Sequence, residues 1–421
     1  MFHIFAKILT KIILLIMKKI TLIILLLAFS NFLLIAQNKE VIDKMIEEVN
    51  YLASDKLEGR ETGTASEKLA ARYIRDKFKE YNALSKGTDG YFQYFEAMIK
   101  SQPHSDVVEK KITGINVIGY LDNTQKETVV IGAHYDHLGY GHSGSLHDGD
   151  KEIHNGADDN ASGVSILINL VNELSDNKEY NYLFIAFSGE EHGLLGSSYY
   201  AKNPTIDLST VRFMINFDMV GRLNDENVLA LNGVGTSSCW DSLTDKANRY
   251  NFKLKKSDSG VGPSDHTSFY LQNIPVLHLF TGQHEDYHKP SDDVEKINFN
   301  GMYFIMSYVR NIIEKSVIID DFDFQETVND TGSTPKFKVT LGVMPDYLYD
   351  GIGLRIDGVS KNKTADKFGI LKGDIVLKLG IIEVTDIFKY MQGLSKFEVG
   401  DSTTVRVKRE EEILDISIIF Q

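Results

Sequence analysis

Between residues 112 and 280 the chain alternates short apolar runs with longer stretches of helical spacing. "ETVVIGAHYDH", "SGVSILINLVNEL", "NYLFIAFSGEE", "VRFMINFDMVG" and "IPVLHLF" follow one another in that order. The alternation predicts an α/β fold with a mixed, largely parallel sheet flanked by helices. Ahead of it, residues 38–85 read as helices. "VIDKMIEEVNYLA" places apolar residues at helical spacing, and "TASEKLAARYIRDKFKEY" opens on Thr64 or Ser66 as a cap. The glycine-containing "SDKLEGRETGT" between them reads as a loop.

The pattern changes after residue 318. Residues 319–336, "IDDFDFQETVNDTGSTPK", are acidic and poor in aliphatic side chains, and read as a linker. Residues 337–421 carry several short strand patterns separated by glycine turns, with the helical "TDIFKYMQGL" between two of them. They predict a second, small, mostly-β domain. The first 36 residues differ from everything else, with four lysines, no acidic residue and two apolar runs. "MKKITLIILLLAFSNFLLIAQNKE" has the basic start, apolar core and small Ala36 of a secretory signal, with Met17 as its first residue. The alternative is a membrane anchor, but Ser30 and Asn31 interrupt the run. This division gives a signal at 1–36, a first domain at 38–318, a linker and a second domain. It places the protein outside the cytoplasm, in a periplasm, on an outer surface or secreted, with no stable membrane span once the signal is cleaved.

Charge then narrows the partners. The formal net charge is −14, and −18 without the lysine-bearing leader. An acidic protein of this kind is not expected to bind nucleic acid. A lone cysteine, Cys239, permits no internal disulfide, so the core and any bound metal must stabilise the fold.

The polar residues that end the apolar runs carry the chemistry. "VVIGAHYDH" ends on His134 and Asp136, "NGADDNASG" holds Asp158 and Asp159, "LFIAFSGEE" ends on Glu190 and Glu191, and "FMINFDM" ends on Asp218. "EDYHKPSDD" supplies Tyr287 and His288 from a loop. In an open α/β sheet the site lies at the carboxyl ends of the strands, and all five segments point there. Nitrogen and oxygen donors without a thiolate suit zinc, less often cobalt or manganese. The supply exceeds what one tetrahedral ion needs. It suits two ions about 3.5–4 Å apart sharing one carboxylate, for which the aspartates of "GADDNASG" are the candidates. Glu190 and Glu191 are adjacent like charges, tolerated only if something positive lies beside them. Adjacent side chains at a strand end leave in different directions, so the two should do different work.

These motifs, in this order, resemble the co-catalytic zinc peptidases that include bacterial leucyl aminopeptidases, aminopeptidase Y and glutamate carboxypeptidase. "YLASDKLEGRETGT" resembles that family too, and the likeness spans roughly 45–315. It implies a zinc-exopeptidase-like fold and two zinc ions. One would be bound by His134 and Asp218, the other by Glu191 and His288, with Asp159 bridging. It also implies Asp136 as acceptor of the His134 ring hydrogen, Glu190 as general base, Tyr287 as a polariser of the substrate carbonyl, and a cis Asp158–Asp159 peptide. Asp265 and His266 in "GPSDHTSF" fall behind the ligands or in the pocket wall.

His137, His142, His147 and His154 crowd a long polar loop and read as loop surface or pocket rim. His192 reads as exposed. The tail resembles a bacterial-type PDZ module, with "VTLGVMPDY" as a loop for a peptide C-terminus at Leu341, Gly342 and Val343. "KTA" stands where that module has "SPA", and the loop lacks the usual doubled glycine.

The leading expectation is an exported aminopeptidase acting on peptides. Arg222, close after Asp218, keeps a carboxypeptidase open. A glutaminyl cyclase-like acyl transferase and a non-catalytic peptide-binding protein using the tail are the remaining readings.

Overall fold

The structure is a computed structural model. It describes residues 38–100, 108–141, 144–327, 338–346, 349, 351–359, 363–385 and 387–421. The expected signal at 1–36 and the later part of the acidic stretch, 328–336, lie outside the described residues. Among the described residues no helix is long and apolar enough to cross a membrane.

Nine strands form the first sheet: β1 (Leu84–Ser85), β2 (Phe92–Lys100), β3 (Val108–Leu121), β4 (Thr128–His134), β5 (Asn181–Phe187), β6 (Val211–Phe217), β7 (Val228–Asn232), β8 (Lys253–Ser257) and β9 (Val276–Phe280). Their order is β1-β3-β5-β4-β6-β9-β7-β8, with β2 on β3. The centre, β5-β4-β6-β9, is parallel throughout. β3 joins it antiparallel on one side and β7 on the other. The sheet is therefore mixed with a largely parallel centre, as the alternation of apolar runs predicts. Every residue of β4 and β5 is buried, as expected of strands covered on both faces.

A helix α1 spans 38–52, and helices α2 (Ala65–Glu80), α3 (Gly163–Glu173), α4 (Leu195–Lys202), α5 (Trp240–Ala247), α6 (His266–Tyr270) and α7 (Phe299–Ser316) cover the sheet. Thr64, not Ser66, caps α2, its hydroxyl accepting from the Glu67 amide at 3.2 Å. Ser66 donates instead to Glu58 at 2.9 Å. The acidic stretch after 318 begins as a strap on this domain. Phe322 packs on Phe213 and Trp240, Phe324 on Tyr270, and Gln325 donates its amide to the Thr236 carbonyl. Cys239 is half-buried.

The tail forms a separate, wholly antiparallel sheet. Its strands are β10 (Val343–Pro345), β11 (Leu354–Val359), β12 (Ile375–Leu379), β13 (Ile382–Glu383), β14 (Ser402–Arg409) and β15 (Glu412–Ile419). α8 (Thr364–Lys367) and α9 (Ile387–Leu394) complete it. Its own core includes Leu341, Ile356, Val376, Leu379, Val405 and Val407. Leu341 is buried, and its carbonyl accepts from the Ala365 amide at 2.7 Å. Gly342 sits at φ +74° and donates its amide to the Thr340 hydroxyl at 3.0 Å. That bond removes it from the amides free to receive a carboxylate. Val343 pairs with Val359 at the edge of the sheet.

One buried acid sets a stability prediction. Glu48 on α1 is fully buried against α3, where Ser165 and Asn169 donate to one oxygen at 2.8 and 2.6 Å. Burial pushes its pKa up to about 8. The folded chain then keeps a proton that the unfolded chain loses above about pH 4.5. Stability falls as pH rises from there to about 8, by at most about 1.4 kcal/mol per pH unit. Glu48→Gln keeps an acceptor for both donors. Denaturant titrations should find it more stable than wild type at pH 8, with little difference at pH 4.5. A variant no more stable at pH 8 contradicts the buried neutral acid.

Candidate metal centre

Parallel strands end on the same edge, and that edge collects the polar residues. His134 is the last residue of β4, Asp218 follows β6 directly, and Glu190 and Glu191 follow β5. Phe187, the last residue of β5, pairs with His134. His288 arrives from the loop after β9, and Asp159 from the turn before α3.

Two groups of donors form around one carboxylate. His134 Nε2 lies 3.2 Å from Asp218 Oδ1 and 3.3 Å from Asp159 Oδ1. His288 Nε2 lies 3.3 Å from Asp159 Oδ2 and 3.2 Å from Glu191 Oε2. Asp159 thus turns one oxygen toward each histidine. The donor atoms of His134, Asp159 and Asp218 lie within 4.8 Å of one another, as do those of His137, Asp159 and Glu191. Buried and half-buried imidazole nitrogens and carboxylate oxygens at this spacing fit metal ions of the zinc type.

The neighbouring acids divide the work. Asp158 turns away: its oxygens meet the Gly221 amide at 2.6 Å and His284 Nε2 at 3.1 Å. The cis peptide is Asp159–Asn160, one bond later than the family resemblance implies. Asn160 is pinned there, accepting from the Gly163 and Met219 amides and donating to the Phe217 carbonyl. Asp136 lies against the His134 ring. Its main-chain carbonyl, 3.3 Å from His134 Nδ1, is nearer than its carboxylate at 3.8 Å. The carboxylate instead accepts from Thr62 at 2.9 Å and from the Glu190 amide at 3.2 Å.

Charge separates the adjacent glutamates. Burial, with Asp218, Glu191 and Asp265 nearby, raises the Glu190 pKa well above the usual carboxylate value despite His134. Burial acts the same way on Glu191, but His288 and His137 outweigh it and hold that carboxyl well below the usual range. Burial opposes a charge on His134 and His288, yet the carboxylates around them raise both well above an ordinary histidine. This buried acidic set attracts cations.

The surrounding elements hold these groups in place. Arg60 in the "EGRETGT" loop is buried and donates to the carbonyls of Tyr135 and Gly156 at 2.8 and 3.1 Å, and also to Leu52 and Asn155. It ties the loop after His134 to the turn before Asp159. Asp292 accepts from the Asp158 and Asp159 amides at 2.9 and 3.0 Å. Arg222 bonds both Asp292 and Asp286 at 3.2 Å, so its guanidinium is engaged by acids of the site's own loops. Gly144 accepts from His288 Nδ1 at 2.8 Å, which puts the ring hydrogen there and turns Nε2 to the carboxylates. Tyr287 stacks on His288 with ring centroids 3.8 Å apart.

The remaining histidines separate into three roles. His137 is no loop-surface residue. It is buried, with Nδ1 2.7 Å from Glu191 Oε1. "AHYDH" was the signal for it, a second imidazole one residue past Asp136. His154 is buried too, and locks the loop by a 2.8 Å bond to Ser145. His147 stays half-buried beside Glu152, His192 is half-buried, and His142 lies outside the described residues. Asp265 is buried, and burial pushes its carboxyl up to about 7. His266 stacks on His278 at 4.5 Å in the buried wall, where burial holds the His278 pKa down to about 4 and that of His266 well below the usual value.

Comparison with known proteins agrees with this geometry. Residues 116–313 match Peptidase family M28. Aminopeptidase YwaD of Bacillus subtilis is 29% identical over 220 residues, 49% of this chain and 44% of that protein. Leucine aminopeptidase 2 of Trichophyton rubrum is 27% identical over 242 residues, 47% of this chain and 48% of its own. The chain thus spans less than half the length of these curated relatives. Among solved structures, a zinc aminopeptidase from Bacillus subtilis superposes with a TM-score of 0.54 at 19% identity, covering 68% of this chain and 98% of that one. A glutaminyl cyclase from Bacteroides thetaiotaomicron gives 0.51 at 19%, covering 65% and 97%. At such identity the likeness is one of fold. The mixed sheet and the His–carboxylate cluster at its carboxyl edge thus accompany a match to Peptidase family M28 that covers residues 116–313, somewhat less than half of the chain.

Proposed function

We propose that the protein is an exported aminopeptidase that hydrolyses peptides with two zinc ions and a glutamate base. The observation that carries this reading is the split Asp159 carboxylate, one oxygen toward His134 and the other toward His288. His134 and Asp218 would hold one ion, Glu191 and His288 the other, and Asp159 both. Bound there, the ions would lower the pKa of a water and polarise the scissile carbonyl.

The chain's own residues do the rest. Glu190, 4.0 Å from His134, shares the ligand cluster yet makes closer contact with none of the ligand histidines. Ionised beside the bound cations, it would accept a proton from the attacking water and pass it to the leaving amine. The Tyr287 hydroxyl supports the developing oxyanion. Names of relatives such as aminopeptidase YwaD favour attack at the amino end. The engagement of Arg222 by Asp286 and Asp292 disfavours its use as a carboxypeptidase's carboxylate clamp. A glutaminyl cyclase shares the fold, but a paired ligand set exceeds what a single working zinc requires. The tail sheet, read as PDZ-like, would take a peptide C-terminus along the edge strand β10, through Leu341 and Val343 more than Gly342.

Two measurements test the enzyme. A panel of aminoacyl anilides should be cleaved, with activity lost to a chelator and restored by zinc. No cleavage of any aminoacyl or peptide substrate by the zinc-loaded protein would end the peptidase reading. Glu190→Gln should keep its metal and lose about 10²–10⁴-fold in turnover, whereas Glu191→Gln should lose one metal equivalent. Full metal occupancy in Glu191→Gln, with loss in Glu190→Gln, means the pair's roles are exchanged.

A further inference from the structure

Glu191 has two oxygens, and each faces a different histidine. Oε2 lies 3.2 Å from His288 Nε2, on the side of Asp159 Oδ2. Oε1 lies 2.7 Å from His137 Nδ1. An ionised carboxylate only accepts, so Nδ1 of His137 carries the ring hydrogen in this contact. His137 is farther from the shared carboxylate, 3.9 Å from Asp159 Oδ2. Its ring meets that of His288 edge-on at 5.9 Å.

The ring is fixed from behind. His137 is 1% exposed, and its Nε2 has no hydrogen-bond partner among the described residues. Gly156 lies against it: a Cβ at that position would come within 2.6 Å of the ring and 2.1 Å of the Asp159 carbonyl. Gly156 also holds φ +57°, a conformation glycine adopts at least cost. The turn that delivers Asp159 is therefore built around the His137 ring, and the Arg60 guanidinium ties that turn down through the Gly156 carbonyl.

The geometry points to His137 as a positioning residue that occupies Glu191 Oε1 and leaves Oε2 alone to face the second metal position. A carboxylate free to use both oxygens would crowd that position and fill a place the reaction needs open. Held on one side by a ring donor, Glu191 presents a single oxygen, as other ligands are oriented by hydrogen bonds behind them. This assignment rests on the two-metal reading of the same site.

Cobalt(II) titration of the metal-free full chain, followed by visible absorption, tests it. The wild-type protein should take up two ions. His137→Ala should bind the weaker ion about 10- to 100-fold less tightly, and its visible bands should weaken as Glu191 turns both oxygens to the metal. His137→Asn places an amide N–H near the Nδ1 position and should recover both affinity and spectrum. Wild-type affinity and bands in His137→Ala overturn the assignment. Equal impairment in His137→Ala and His137→Asn also overturns it, because the ring then acts as a ligand or a filler. Uptake of fewer than two ions by the wild type contradicts the two-metal reading and this assignment with it.

Discussion

The site depends on one short side chain held between two histidines. Asp159 can turn its oxygens in opposite directions only if the backbone beneath it is fixed. That backbone donates its Asp159 amide to the Asp292 carboxylate and bends tightly at Gly156, with Asn160 anchored to the ends of β6 and α3. A longer side chain would carry more rotamer freedom and hold the two half-sites less firmly. Around this carboxylate sit Glu190, Glu191 and Asp218, all drawn to one edge of a buried sheet. Like charges so placed are stable together only with cations among them, and in their absence the histidines take up the protons.

Adjacent residues escape having the same role because their surroundings differ. Glu191 finds a histidine on each oxygen and stays ionised. Glu190 faces the acids and the wall around Asp265, and holds its proton more tightly. The contrast follows from the chain leaving β5, which sends successive side chains different ways. A pair that looks unfavourable in the sequence becomes two carboxyls of opposite proton affinity.

Much of this was legible before the fold was known. The apolar runs set the parallel centre of the sheet, and residues that end such runs must meet at one edge. His134, Glu190, Glu191 and Asp218 follow from that rule, whereas the choice of Asp159 within its pair and of His288 in its loop rests on the resemblance of their motifs to the zinc peptidases. The supporting residues were not legible. Arg60 works through main-chain carbonyls 75 and 96 residues away, which leave no periodicity and no complementary charge to find. His137 follows β4 by three residues, beyond the reach of strand alternation, and looked like part of a polar loop. Asp136 comes nearest His134 through its main-chain carbonyl, and a residue type does not reveal which of its oxygens a fold will use. The tail sheet was legible as β from its turns, but the state of the Gly342 amide depends on the Thr340 rotamer and had no sequence signal.

The central claim is that Asp159 bridges two metal positions. Anomalous diffraction at the zinc absorption edge, from crystals of the zinc-loaded protein, tests it most directly. Two anomalous peaks about 3.5–4 Å apart are expected, one beside His134 and Asp218 and one beside Glu191 and His288, with an oxygen of Asp159 bound to each. A single peak, or two peaks with Asp159 bound to only one, would contradict it.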